Sequence, residues 1–222
     1  YGEIVKTIDL LLAHEIAPRL QVFVNQDNLA DMPAVEELIE SMKLEERCQA
    51  IGKPFEAFVH NGSCDGENEK LYDLRVLPED LDKIPPKLAD YTKAHFHTAD
   101  LSAVFGLPES ILCEEWAEDM SIWNVVENSP VLYIDKDGDV YPNVTTPAPF
   151  WKLGNWRRDG VEAILTNYVE NATPAQHTSL AVPLQELVKA QGNPYSRRLF
   201  TRGDYRIYLL NRFCRAHFME TE

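Results

Sequence analysis

The apolar positions along the first part of the chain switch between two periods. Ile4, Val5, Ile8, Leu11 and Leu12 recur at helical spacing and predict an amphipathic helix over residues 3–14. Arg19 to Val24 then reads as a short strand ending at a polar turn, Asn25-Gln26-Asp27-Asn28. A second helix follows, with Asp31 placed to cap it, Pro33 suited to its first turn, and Val35, Leu38, Ile39 and Met42 forming its stripe. Phe55 to His60 predicts another strand, opening onto the turn-rich stretch from Asn61 to Asn68. Helix, strand, helix, strand with short connections is the rhythm of a parallel α/β unit. In such units the loops beyond the carboxyl ends of the strands build the ligand site, which puts Asn25–Asn28 and His60–Asn68 on the functional rim.

The pattern changes further on. Residues 78–98 predict two short helices broken by Pro85-Pro86, with helical stretches continuing to about Met120. Val131 to Ile134, the turn Asp135-Lys-Asp-Gly-Asp139, and Val140-Tyr141 predict a β-hairpin, because Asp-Gly between alternating apolar positions favours a tight reversal. A helix is expected from about Asp159, where Asp159 and Glu162 have capping-box spacing and Val161, Ile164, Leu165 and Tyr168 should face inward. Helices near 183–191 and 203–217, separated by Gly192-Asn193-Pro194, end the chain. There is no internal repeat and no low-complexity segment.

Charge divides the sequence unevenly. Residues 1–120 carry 25 acidic and 10 basic side chains, whereas residues 121–222 carry 11 of each, so the whole net charge of −15 sits in the first part. That asymmetry predicts two domains, 1–120 and 121–222. Arg197, Arg198, Arg202, Arg206, Arg212 and Arg215 crowd the end of the second. A nucleic-acid-binding tail is one reading; an amphipathic helix pairing its arginines with acidic neighbours is the better one, since net acidity repels polyanions. No apolar run approaches the ~20 residues needed to cross a bilayer, and the N-terminus lacks the layout of a signal peptide. Four scattered cysteines suit a reducing compartment, and a cytoplasmic location is expected. The chain opens inside a helix without an initiator methionine, the pattern expected of a piece of a longer protein.

Candidate chemistry is sparse. Cys48, Cys64, Cys113 and Cys214 are separated by 15, 48 and 100 residues, so no two have the spacing at which thiolates grip one zinc ion or iron–sulfur cluster. Cys64 lies near His60, but Asp65, Glu67 and Glu69 disfavour a thiolate there. Asp135, Asp137 and Asp139 alternate as calcium ligands do, yet Gly138 is fourth and Thr146 twelfth, where an EF-hand needs glycine sixth and glutamate twelfth. His95 and His97 would share a face only on a strand, and their surroundings read as helix. No metal site is expected. Glu114, Glu115, Glu118 and Asp119 read as a solvated helix face, and no nucleophile elbow, Walker loop or dinucleotide fingerprint occurs.

Two stretches carry a resemblance. Leu132-Tyr-Ile-Asp-Lys-Asp-Gly-Asp-Val-Tyr-Pro142, followed by Lys152-Leu-Gly-Asn155 and a helix, resembles the SPASM or twitch extension of radical S-adenosylmethionine enzymes, in which a "DGxVYPC" hairpin leads into "xxGN". The earlier run containing Pro18 to Asn28, PRLQVFVNQDN, resembles the later half of their partial (β/α) barrel. The likeness implies an α/β fold: a half-barrel of parallel strands, then a small α+β module with a hairpin and C-terminal helices. For a full-length relative it implies S-adenosylmethionine and a [4Fe-4S] cluster held by a CxxxCxxC loop. No such loop is present in this sequence, and Asn143 stands where cluster-binding relatives carry cysteine.

What the resemblance implies for function is therefore a C-terminal, substrate-side portion of a radical oxidoreductase, inactive alone and with no cofactor expected in this chain by itself. Gln21, Asn25, His60 and Asn61 become the candidate cofactor- or substrate-binding groups, with capping of loop backbone as the competing role. The rival class is a stand-alone binding protein of the same ancestry, presenting its polar rim to a small molecule or peptide. A third, a metal hydrolase built on His95 and His97, predicts bound zinc. A half-barrel leaves an unpaired strand edge, so a homodimer through that edge is expected.

Overall fold

The computed structural model describes residues 2–62, 71–128, 131–142 and 147–219. Its contacts divide the chain into two compact units: residues 2–62 with Leu74–Gly106, and residues 71–73 with residues 107–219.

The first unit opens with α1 (Gly2–Ala13), β1 (Arg19–Val24), α2 (Met32–Ser41), α3 (Leu44–Ala50) and β2 (Glu56–Asn61). The two strands pair in parallel, Arg19 opposite Glu56 and Val24 opposite Asn61. Ile8 and Leu12 of α1, Leu38 and Ile39 of α2, and Leu44 and Cys48 of α3 are buried in this unit, as are Val24, Ala57 and Val59 of the strands. Asp31 does not cap α2 with its side chain. Leu29–Asp31 already winds as a 3-10 turn, which gives Asp31 helical dihedrals (φ −89°, ψ −7°) rather than the extended ones a capping carboxylate needs. α4 (Pro86–His95) and the single turn α5 (Ser102–Phe105) complete the unit.

The parallel pair stops at two strands. Fully buried Thr92 of α4 accepts the backbone N–H of Val59 through its hydroxyl at 3.0 Å and donates to the Leu88 carbonyl at 2.7 Å. A side chain thus takes the position of a third strand on the β2 side. The mixed α/β class holds, while among the described residues no half-barrel forms and parallel pairing is confined to β1 and β2.

The second unit contains β3 (Leu107–Pro108), α6 (Glu109–Glu115), α7 (Val125–Asn128), the hairpin strands β4 (Leu132–Ile134) and β5 (Asp139–Pro142), β6 (Gly154–Asn155), α8 (Val161–Val169), α9 (Pro174–Ala181), α10 (Leu184–Gln191), β7 (Leu199–Phe200) and α11 (Arg202–Phe218). β4, β5 and β6 form an antiparallel sheet, and β3 pairs antiparallel with β7. Trp151, Phe200, Tyr205, Tyr208, Leu209 and Leu210 fill the larger core, where the Trp151 indole donates to Asn211 Oδ1 at 2.7 Å.

Two expectations about α8 are corrected. Gly160, at φ +80°, takes the N-cap position, so the Asp159–Glu162 frame is one residue out of register. Only Ile164 and Tyr168 turn inward; Val161, Leu165 and Val169 are 63%, 47% and 64% exposed. α9 was not foreseen at all. It is capped by Thr173, whose hydroxyl accepts from Gln176 N while the Gln176 side chain accepts from Thr173 N, a reciprocal capping box.

No helix among the described residues is long and apolar enough to cross a membrane. The Thr92 clasp gives a direct test. Thr92→Val keeps the shape but strands the Val59 N–H, and should cost about 1–3 kcal/mol of unfolding free energy. Thr92→Ser should recover most of that loss in the same denaturant titration.

Candidate functional site

The face of the parallel pair that carries Arg19, Gln21 and Phe23 on β1 and Glu56, Phe58 and His60 on β2 follows from strand alternation, since every second side chain shares a side. Gln21 Nε2 and His60 Nε2 lie 2.7 Å apart, joining two of the four residues singled out from sequence. Phe23 stacks obliquely on the His60 ring at 4.7 Å, and Phe58 lies 5.6 Å from it. His95, at the end of α4, stacks on Phe58 at 4.0 Å, and Phe96 meets the same ring edge-on at 5.3 Å. Glu56 lies 3.8 Å from His95 and 4.0 Å from Arg19. Phe23 and Phe96 stay 53% and 43% exposed. The result is an aromatic wall with an amide, an imidazole, a guanidinium and a carboxylate along it, suited to holding a flat or partly apolar molecule by stacking and hydrogen bonds.

The other two residues have different work. Asn25 Oδ1 accepts from the backbone N–H groups of Asp27 and Asn28, at 2.9 and 3.0 Å, and Asn25 N–H donates to Asn28 Oδ1 at 2.9 Å. Gln26 fastens the same turn through its N–H to Leu74 O and its amide to Arg75 O. Asn61 Nδ2 reaches toward the Phe105 carbonyl at 3.4 Å. Asn25 thus builds the rim, whereas Gln21 and His60 face outward from it.

A second constellation escaped the sequence reading. Glu109 opens α6 and is fully buried in the second unit. Its carboxylate accepts from Tyr72 Oη at 2.6 Å, Tyr205 Oη at 3.0 Å and Asn193 N at 3.1 Å. Cys113 Sγ lies 3.1 Å from Tyr205 Oη and also lines a surface cleft of about 520 Å³ with Ile111, Val188, Lys189 and Pro194. Burial, with the Glu109 charge beside it, pushes the Tyr205 phenol well above its ordinary range; burial and the bond to Glu109 do the same for Tyr72. Burial likewise raises the Cys113 thiol, which argues against a nucleophile there. Arg198 stacks over Tyr72 at 4.4 Å and pairs with Asp73 at 2.8 Å, and Arg202 pairs with Glu115 at 2.6 Å. Arg212 bonds Gln191 and Tyr208. Arg198 and Arg202 thus pair with carboxylates, and Arg212 with an amide and a phenol. The only signal for Glu109 was a carboxylate directly after Pro108, at the start of a helix.

The two halves of the hairpin motif form one clasp. Asp135 Oδ1 accepts from Asp137 N and Asp139 N, both at 2.9 Å, which closes the turn. Asp139 receives Asn155 Nδ2 at 2.7 Å and Lys152 Nζ at 2.5 Å; those bonds hold its carboxyl below the usual range. Asn155 Nδ2 also donates to Asp137 O, and Asn155 N donates to Asp159 Oδ2 at 2.7 Å. Two glycines make room. A Cβ at Gly138 (φ +88°) would lie 2.9 Å from the Trp156 indole nitrogen, and one at Gly154 (φ +151°) 2.9 Å from the Asp159 carboxylate.

Among the described residues no three His, Cys, Asp or Glu side chains converge as a metal site, and Cys48, Cys113 and Cys214 are buried as free thiols. These donors do not fit an iron–sulfur cluster. Cys64 and Asn143 lie outside the described residues. His95 is committed to its stack on Phe58, and His97 follows the helix at φ +52°. No protein-family model, curated protein or solved structure matches this chain.

Two outcomes follow. Asn155→Ala should loosen the hairpin and lower stability by about 1–3 kcal/mol, whereas Lys136→Ala at the exposed tip should stay within about 0.5 kcal/mol by thermal unfolding. Tyr72 and Tyr205 hold their protons more tightly folded than unfolded, so their contribution is complete below pH 10.0, the ordinary phenol value, and is lost as pH rises beyond it. Tyr205→Phe should flatten that alkaline decline in a stability–pH profile.

Proposed function

We propose that these residues are the substrate-side, C-terminal portion of a radical S-adenosylmethionine-type oxidoreductase, a scaffold without chemistry of its own. The observation that carries the reading is the clasp between Asp139 and Asn155. It ties the DGDVYP stretch to the LGN stretch, so two pieces of the resemblance separated in sequence behave as one structural motif. The helix–strand–helix–strand order of the first unit supports the same reading, as does a parallel pair that joins Gln21 to His60 on one face.

In this proposal Gln21 and His60 offer hydrogen bonds to a bound molecule while the exposed Phe23 packs against it. Asn25 shapes the rim, and Asn61 anchors the end of β2. The radical-generating group belongs elsewhere, because the donors described here do not fit a cluster and a protein can orient such chemistry but not replace it. A cytoplasmic setting accords with three free, buried cysteines. The same poor fit to a cluster favours one rival, a non-catalytic binding protein that uses the identical face.

The encoding gene separates the two. An open frame continuing upstream of Tyr1 into a CxxxCxxC loop is expected, and a start codon directly before Tyr1 would leave only the binding protein. Anaerobic reconstitution of the 222-residue chain with iron and sulfide should give far less than one cluster per molecule. Four bound irons per chain would overturn the proposal.

A further inference from the structure

The small parallel sheet has one closed edge and one open edge, and the open edge has a symmetry. Val59 N–H points away from β1, because it reaches Thr92. Main-chain groups alternate sides along a strand, so Glu56, Phe58 and His60 turn theirs toward β1. In the observed register, Gln21 opposite Phe58, the groups of Leu20 and Val22 must then face β2. Those of Arg19, Gln21 and Phe23 face outward. The Asn28 side chain, donating to Phe23 O at 2.8 Å, approaches from that outer side, as the alternation requires. Among the described residues no other hydrogen bond reaches the outward main-chain groups of these three residues.

We propose that a second copy of this chain docks on that edge, β1 against β1 in antiparallel register about a two-fold axis through Gln21. Three outward residues with Gln21 at the centre define this register. Gln21 exchanges both main-chain hydrogen bonds with its counterpart, and Arg19 exchanges both with Phe23 of the second copy, whose carbonyl then accepts the Arg19 N–H beside the Asn28 amide. Any other register leaves at least one of the three without its pair. The side chains agree with it. Arg19 and Phe23 share the exposed face, so the axis sets each guanidinium beside the other copy's phenyl ring, a favourable cation–aromatic contact made twice. On the opposite face Leu20 meets Val22. Pro18, which has no N–H, precedes the paired stretch, and the Asn25–Asn28 turn ends it. The edge also lacks the devices that usually forbid such pairing: it has no bulge, no inward charge and no lysine or proline within the strand. The inference does not rest on the proposed function.

The test is the mass of the intact chain in solution, by light scattering and sedimentation equilibrium at micromolar to tens-of-micromolar concentration. Twice 25.4 kDa is expected, and added salt should tighten the dimer by screening the net charge of −15 on each copy. Phe23→Pro removes an outward N–H while sparing the bonds to β2. It should give a monomer with an unchanged circular dichroism spectrum. Arg19→Phe and Phe23→Arg, made singly, should each weaken association about tenfold. Made together they restore the pair with its partners exchanged, so the double variant should regain most of the affinity. A wild-type monomer throughout the range overturns the proposal. So does a dimer that survives Phe23→Pro, or a double variant no better than the singles. A dimer abolished instead by Leu165→Glu would move the interface to the exposed stripe of α8 and equally end it.

Discussion

The hydroxyl of Thr92 is a small group with a large structural consequence. A strand has two edges, and a two-stranded sheet can satisfy only the inner ones by itself. By accepting from Val59 and donating to Leu88, Thr92 makes α4 stand in for a third strand. It brings His95 and Phe96 onto Phe58 at the same time, so the contact that ends the sheet also builds the aromatic wall beside Gln21 and His60. The candidate site and the end of pairing on the β2 side are therefore two results of one contact.

The second unit solves a related problem with a carboxylate. Glu109 sits at the start of α6, where a negative charge is favoured by the helix dipole, and spends its oxygens on two phenols and a backbone N–H. Those partners come from three separate stretches: Tyr72, the loop at Asn193, and α11. A buried charge satisfied this way holds distant segments in one arrangement, but it leaves no oxygen poised for catalysis. The neighbouring Cys113 thiol is raised by burial and bound to Tyr205, so the surface cleft beside it has a packed floor.

Periodicity made the elements legible. β1 was read with its observed bounds, Arg19–Val24, because it alternates between two clear turn signals. The hairpin and the last two helices were equally plain. What failed was anything decided across the chain. A parallel pair looks the same in sequence whether the next neighbour is a strand or a helix, so nothing in the rhythm could show that the half-barrel implied by the resemblance stops at Thr92. Glu109 drew no reading at all, because its phenolic partners lie 37 and 96 positions away. α9 could have been found: Thr173-Pro-Ala-Gln176 is a capping box with proline in the first turn, hidden by a weakly apolar helix. Of the four candidate site residues, Gln21 lies in the middle of β1 rather than at its end, and sequence position could not tell the turn-building Asn25 from the outward-facing Gln21 and His60.

The hairpin carries a lesson for anyone wishing to graft it. Its Asp-Lys-Asp-Gly-Asp tip looks like a portable turn, yet Gly138 is glycine partly because Trp156 occupies the space above it, and Gly154 partly because of Asp159. Transplanting the tip alone would import the glycine without the indole it makes room for, and Asp139 without the amide and ammonium that hold it. The smallest movable cassette runs from Leu132 to Asp159, and a host scaffold would have to accept all of it.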